Sequence, residues 1–376
     1  MSASAGGVPR DDSADYASLF LSAVPLLDVR APVEFAKGAF PHALNLPLMD
    51  DAERHQVGLR FKQGGQAEAI ALGERLVSGS LRAQRLAGWA QFAKAHPDGY
   101  LYCFRGGLRS GYVQRWLREA GIHYPRVRGG YKAMRGFLLQ TLDEAWTGCD
   151  FVVLGGMTGT GKTELLAPLA HGLDLEHHAR HRGSSFGRRL APQPAQVDFD
   201  NALAIDLLRK RHDGLRRFVV EDEGQAIGAC SLPFALYQLM QRRPMIWLED
   251  TLENRVARIL RDYVIEARAE AEQALGAEAG HALYAARLRQ GLDGIRKRLG
   301  GLRHRDLGAL LDAALAAEQR GEGTERHRDW IGALLTGYYD PMYAYQRQQK
   351  QARIVFAGPP DAVRDYLRAD ASRARD

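Results

Sequence analysis

CDFVVLGGMTGTGKTELLAPLA (residues 149–170) decides the fold of the second half of the chain. Phe151 to Leu154 form a short unbroken apolar run, as expected of a strand buried on both faces of a parallel sheet. GMTGTGKT (156–163) then satisfies G-x-x-x-x-G-K-[ST] in full, and TELLAPLAHGL opens with the composition of a helix. Strand, glycine-rich turn and helix in that order make a phosphate-binding P-loop. Gly156, Gly159 and Gly161, with Thr158 between them, let successive backbone N–H groups face a phosphate. Lys162 reaches the outer phosphate and Thr163 is placed to hold Mg²⁺. The motif leaves open whether ATP, GTP or another diphosphate binds.

Downstream, RRFVVEDE (216–223), PMIWLED (244–250) and ARIVFAG (352–358) read as further strands, with a long helical stretch from Leu252 to about Leu315. Strands separated by helices imply a mostly parallel α/β sheet. Glu221, Asp222 and Glu223 end one of these strands, where a P-loop enzyme keeps its metal-organising carboxylate. Asp222 is the expected ligand; a solvated acidic turn is the alternative.

Upstream the same alternation appears. VPLLDVR (24–30) and ALNLPL (43–48) are strand candidates, residues 49–77 and GWAQFAKAHP read as helical, and YLYCFRGGLRSGYVQRWL (100–117) is a strand, a tight turn and a helix. Cys103 sits at that turn. Gly106 and Gly107 permit unusual backbone angles, and Arg105 and Arg109 add positive charge, an environment that favours a thiolate and an anion beside it. The spacing Cys103 to Arg109 also fits the Cys-x5-Arg loop of cysteine phosphatases, and a small buried hydrophobe is the bland alternative. A helix from about Tyr131 to Trp146 leads to a domain boundary near residue 148.

The 376 residues suffice for two domains, and 45% apolar with 26% charged residues is ordinary for a soluble globular chain. A net charge of +6 is compatible with a polyanionic partner without requiring one. No leader-like or membrane-spanning stretch is evident, so the expectation is a soluble, cytoplasmic protein without a membrane partner. Three widely spaced cysteines argue against a disulfide framework or a zinc site, and no nicotinamide or flavin is expected.

Two stretches could bind anions. HRGSSFGRR (181–189) carries Arg182, Ser184, Ser185, Arg188 and Arg189, suited to a lid over a diphosphate, to a tRNA contact or to plain solvation. RLRQGLDGIRKRLGGLRHR (287–305) includes Arg296, Lys297 and Arg298; it could hold nucleic-acid phosphates or be a solvated helix face. GYYDPMYAY (337–345) is aromatic enough to stack a base, line an apolar pocket or fill a core.

LLDVRAPVEFAKGAFPHALNLPL resembles the first segment of rhodanese domains through Asp28, Val29, Arg30, Glu34, Phe35, Gly38, Ala43, Asn45 and Pro47, although Gly38-Ala39-Phe40 replaces the usual Gly-His-Ile. With CFRGGLRS, RGGYKAMR (128–135), GGMTGTGKT, HRGSSFG and YYDPMY in this order, the whole chain resembles the bacterial tRNA 2-selenouridine synthase family. The resemblance implies a rhodanese-like parallel-sheet domain over 1–147, followed by a P-loop NTPase-like α/β domain over 148–376 with a helical, basic insertion at about 252–345. It implies tRNAs for lysine, glutamate and glutamine as substrates, with 2-thiouridine at the wobble position. Geranyl diphosphate and selenophosphate would be co-substrates, Mg²⁺ a cofactor, and a selenophosphate-supplying enzyme a possible partner. Cys103 would carry selenium or help bind selenophosphate, with Arg105 and Arg109 beside it. Two other readings stay open: a kinase carrying a sulfurtransferase domain, and a nucleotide-controlled tRNA-binding switch.

Overall fold

The computed structural model describes residues 10–105 and 107–371. Gly106, one of the two glycines singled out in the Cys103 turn, lies outside the described residues. The chain divides into two compact units: the described residues up to Asp143 together with Ala195–Arg209, and Glu144–Pro194 with the described residues from Lys210 on. The break expected near residue 148 thus falls a few residues earlier, inside a helix, and Ala195–Arg209 belong with the first unit.

In the first unit, β1 (Leu26–Asp28) lies between β2 (Ala43–Asn45) and β3 (Tyr100–Tyr102), all parallel. Single bridges from Leu101 to Arg126 and from Val127 to Ser13 extend the sheet beyond β3. The helices are α1 (Tyr16–Leu21), α2 (Pro32–Ala36), α3 (Asp51–Leu76), α4 (Gly79–Ala95), α5 (Leu108–Glu119), the start of α6 (Gly130–Gly148) and most of α9 (Gln196–His212). Leu27, Val29 and Leu101 of the sheet pack against Trp89 and Phe92 of α4 and Val113, Trp116 and Leu117 of α5. The periodic apolar positions of α5 are therefore its core face. Gly65, at φ +77°, bends α3 in its middle.

The second unit is built on a five-stranded parallel sheet in the order β10-β9-β4-β6-β5. Its strands are β4 (Asp150–Gly156), β5 (Gly172–Leu173), β6 (Arg217–Glu221), β9 (Met245–Leu248) and β10 (Ile354–Gly358). β7 (Ala226–Ile227) and β8 (Cys230–Ser231) form a separate two-stranded ribbon. α7 (Lys162–Leu166) is shorter than the apolar stretch suggested: Pro168 has no N–H to continue the ladder. α8 (Leu175–Ala179), α10 (Phe234–Met240) and α18 (Pro360–Ala371) complete the sheet layer, with Val363 and Leu367 packed on Val152, Leu154 and Val219.

The long helical stretch is a succession of α11 (Leu252–Ile259), a π-helical turn (Leu260–Ile265), α12 (Glu266–Leu275), α13 (Ala277–Gly294), α14 (Arg296–Leu299), α15 (Gly301–Gln319), α16 (His327–Leu334), a second π-helical turn (Leu335–Tyr339) and α17 (Asp340–Lys350). It has its own core, in which Leu260, Val264, Leu288, Leu311, Trp330 and Leu334 meet. Among the described residues no helix is long and apolar enough to cross a membrane.

Candidate functional site

The P-loop follows the central strand β4 at the carboxyl end of the sheet, where ligands bind in open α/β folds. Gly159 stands at φ +80°, and a Cβ there would come within 3.0 Å of the Arg255 carbonyl oxygen and within 2.9 Å of Ile259 Cδ1. Only glycine combines that conformation with that closeness. Two arginines of α11 grip the loop from outside. Arg255 donates from Nε to the Thr158 carbonyl (2.9 Å), and Arg258 donates to the Gly159 carbonyl (2.5 Å). Asp340, from the YYDPMY stretch, accepts from both terminal nitrogens of the buried Arg255 guanidinium, at 2.5 and 3.2 Å. Asp250 similarly holds Arg258 at 3.0 Å. Two loop carbonyls are thereby tied to α11 side chains. The residues that do this were not singled out from the sequence; Asp340 was read there only as part of an aromatic stretch.

Lys162 Nζ donates to the Gly156 carbonyl (3.2 Å). Burial would lower its pKa, but Tyr343, Glu223, Glu221 and Glu176 nearby outweigh that and hold it above the ordinary lysine value. Thr163 donates its hydroxyl to Glu221 (2.8 Å). The ligand oxygens of Glu176, Glu221 and Glu223 lie within 4.8 Å of one another. Burial, then the charge of a neighbouring glutamate, pushes Glu176 and Glu221 up to about 8 and Glu223 up to about 7. Glu221 Oε2 is buried with no hydrogen-bond partner. An orphaned oxygen among three crowded carboxylates beside a P-loop threonine fits a divalent cation. Asp222, expected as the ligand, is engaged elsewhere: its carboxylate pairs with Lys350 at 2.5 Å. The strand ends at Glu221 and the chain turns at Asp222, where the Glu223 N–H donates to the Glu221 carbonyl at 2.9 Å; the glutamates on either side of the turn meet while Asp222 reaches Lys350.

A narrow apolar slot of about 20 Å³ opens beside Thr158, lined by Phe186, Ile259, Tyr263, Trp330, Leu335 and Tyr339 among others. Both π-helical turns contribute to it, Tyr263 from one and Leu335 and Tyr339 from the other. Such turns frequently interrupt helices at functional sites. The HRGSSFG segment packs against the same wall. Arg182 pairs with the Asp262 carbonyl and with Glu266, Ser184 bonds the Tyr263 hydroxyl (3.2 Å), Ser185 donates to the Gly291 carbonyl (2.6 Å), and Phe186 stacks on Trp330. Arg182, Ser184 and Ser185 are thus occupied within the protein, whereas Arg188 and Arg189 are exposed. Arg296, Lys297 and Arg298 stand exposed on α14 with no ion-pair partner among the described residues.

In the first unit Cys103 follows β3 directly and is 3% exposed. Its thiol donates to Ser110 Oγ (3.3 Å), which donates to the Gly107 carbonyl (3.1 Å). Tyr131 and Lys132 donate their backbone N–H groups to the carbonyls of Cys103 and Phe104, both at 2.8 Å, so RGGYK fixes the strand end that presents the thiol. Gly107 caps α5 at φ −97°, outside the left-handed region. Arg105 is exposed and has no hydrogen-bond or ion-pair partner among the described residues. Arg109, expected to face an anion, is half neutralised: Glu34 accepts from both its terminal nitrogens (2.5 and 3.1 Å) and also pairs with Arg54 (3.2 Å). Burial alone would raise the Glu34 pKa, but these arginines hold it below the usual value. Asp28, Arg30 and Asn45 prove to be scaffold. The buried Asp28–Arg30 pair reaches the Gly38 carbonyl, and Asn45 bonds the carbonyls of Asp28 and Arg30.

Residues 149–374 match the family model described as the tRNA 2-selenouridine synthase AAA domain. A tRNA 2-selenouridine synthase of Bordetella bronchiseptica is 67% identical over 361 residues, 96% of this chain and 98% of the relative. One from Azotobacter vinelandii is 61% identical over 368 residues, 98% of this chain and the whole of the relative.

Proposed function

This chain belongs to the tRNA 2-selenouridine synthase family, and from that membership we propose that it makes 2-selenouridine in tRNA in two steps, one at each site described above. At the P-loop, the sulfur of 2-thiouridine attacks C1 of geranyl diphosphate; the C–O bond breaks, diphosphate leaves and the N3 proton is released. At Cys103, selenium delivered from selenophosphate attacks C2. The S-geranyl group leaves as geranylthiol, N3 regains a proton, and the phosphoryl group goes to water as phosphate. The cysteine helps to bind the selenophosphate, so that selenium passes to C2 at the selenide level with no change of oxidation state. Substrates would be the wobble positions of tRNAs for lysine, glutamate and glutamine.

The observation that carries this reading is the apolar slot beside Thr158. A prenyl diphosphate needs phosphate donors and an apolar wall together, and this loop has both beside it. Lys162 and the P-loop N–H groups hold the diphosphate. A divalent cation held by Thr163, Glu221, Glu176 and Glu223 would supply charge neutralisation for the leaving group. Alkylation serves the second step because a thioether leaves C2 as a thiol, whereas a thiocarbonyl sulfur is a poor leaving group.

Nucleoside mass spectrometry tests the scheme, on thiolated tRNA incubated with the protein, Mg²⁺ and geranyl diphosphate, with and without selenophosphate. Geranylated nucleoside is expected first and seleno nucleoside once selenophosphate is added. Cys103→Ala should block only the second product and Lys162→Ala should suppress the first. A requirement for ATP, or Cys103→Ala abolishing geranylation, refutes the assignment of steps to sites.

A further inference from the structure

An open pocket of about 790 Å³ in the first unit runs from Cys103 along α3. That is within the size range of small-molecule sites, roughly 300–1,000 Å³. Its wall includes Val57, Leu59, Phe61, Ile70, Leu108 and Trp116. Leu59, Phe61 and Leu108 are 45%, 55% and 50% exposed, so three large apolar side chains stand in water around one hollow. A concentration of this kind marks a binding surface, whereas scattered single ones need no explanation. The bend at Gly65 falls within the helix that forms this wall. Arg54, Lys62, Arg105 and Arg109 also line the pocket, with Glu34 and Glu74; Glu34 pairs with Arg54 and Arg109, and Arg105 has no counter-ion among the described residues.

Hydrocarbon wall, spare cation and thiol in one place fit an occupant that is at once alkylated and anionic and that reacts beside Cys103. A bare polyanion gains nothing from the apolar wall, and a free hydrocarbon gains nothing from the cations. A nucleic acid carrying an alkyl chain on one base satisfies both. We propose that this pocket receives the geranyl chain of the S-geranylated nucleoside while C2 is exchanged beside Cys103, so that the chain is recognised twice, first in the slot at Thr158 and then here. The inference rests on the two-step scheme above and adds to it a substrate requirement at the second site. Alkylation then does more than activate sulfur: it supplies the handle by which the Cys103 site selects tRNA that has completed the first step. Geranylthiol leaves from the same pocket.

The test uses anticodon stem-loop RNAs carrying S-geranyl- or S-methyl-2-thiouridine, given to the full chain with selenophosphate. Wild type should prefer the geranyl substrate in kcat/KM by roughly 100-fold or more, since each buried methylene contributes several-fold. Filling the pocket with Ile70→Trp should lower that preference at least tenfold. Phe61→Ser and Leu59→Ser, at exposed positions that cost the fold little, should do the same in graded fashion. A preference that survives all three variants overturns the proposal. If wild type converts neither RNA, the two-step scheme fails, and binding decides the pocket separately. Fluorescence anisotropy on Cys103→Ala protein should show the geranylated stem-loop bound more tightly than the methylated one, with the difference lost in the added Ile70→Trp background. Equal binding of the two RNAs refutes the pocket.

Discussion

Three carboxylates crowded beside Thr163 make cation binding depend steeply on pH. Without a cation, Glu176 and Glu221 titrate near 8 and Glu223 near 7, raised by burial and mutual repulsion. A divalent ion must displace whatever protons they hold. At pH 6.5 a carboxyl titrating near 8 costs about 2 kcal/mol to ionise, against about 0.2 kcal/mol at pH 8.5. Two such groups, coupled to each other, predict that Mg²⁺ affinity rises on the order of 100- to 1,000-fold over that interval. Isothermal titration in buffers of different ionisation enthalpy reads both the affinity and the protons released, about two per ion near pH 7. Stability follows with a definite sign. Folded-state carboxyls raised above 4.5 bind more protons than their unfolded counterparts, so the cation-free protein loses stability as pH climbs from about 4.5 to about 8. Added Mg²⁺ should therefore raise Tm more at pH 8 than at pH 6. Glu221→Gln removes a ligand and a buried charge together, and should weaken Mg²⁺ binding while raising the cation-free Tm at pH 8. Affinity that is flat between pH 6.5 and 8.5, or Glu221→Gln protein that binds Mg²⁺ like wild type, refutes the three-carboxylate site.

Arg255→Met should destabilise by about 3 kcal/mol in urea titrations, because it strands Asp340 and frees the Thr158 carbonyl. It should also weaken geranyl diphosphate binding by calorimetry, since the loop loses one of its two outer clamps. Glu34 titrates below its usual value in the folded state, so its contribution is present above about pH 4.5 and lost as pH falls below that. Glu34→Gln should cost about 1 kcal/mol at pH 7, after allowance for partial exposure, and much less at pH 3.5 by thermal unfolding. Replacing Arg296, Lys297 and Arg298 together with Ala should reduce the salt slope of tRNA binding by up to about 2–3 in anisotropy titrations, without a change in Tm beyond about 1–2 °C.

Local order carried most of what was legible in the sequence. The P-loop, the strands at β1, β3, β4, β6 and β9 and the turn at Cys103 depend on neighbouring residues, and their apolar runs and glycines are visible in one window. The interruptions of the long helical stretch at the two π turns left no such trace, because π geometry has no distinctive composition. Ala195–Arg209 joined the first unit through tertiary bonds that composition does not announce, as where Asp198 accepts from the Ala39 N–H and Asn201 donates to the Ala39 carbonyl.

The choice of Asp222 over Glu221 shows where local reading stops. β6 is buried along nearly its whole length, so the apolar and polar alternation that would reveal which carboxylate faces the loop is absent until the strand ends. Glu176 is more remote still, 45 positions before Glu221 by number and on a short helix with no motif of its own. A cluster of three carboxylates assembled from two chain segments is costly to keep in a core, since each carboxylate raises the others' pKa. Among the described residues the cation-free fold offsets that cost only in part: Thr163 supplies one hydroxyl, Lys162 one charge, and Glu221 Oε2 is left without a partner. The same energetics that hide the cluster from sequence reasoning therefore identify it in the structure, as a place where a divalent ion would relieve a repulsion that the fold leaves standing.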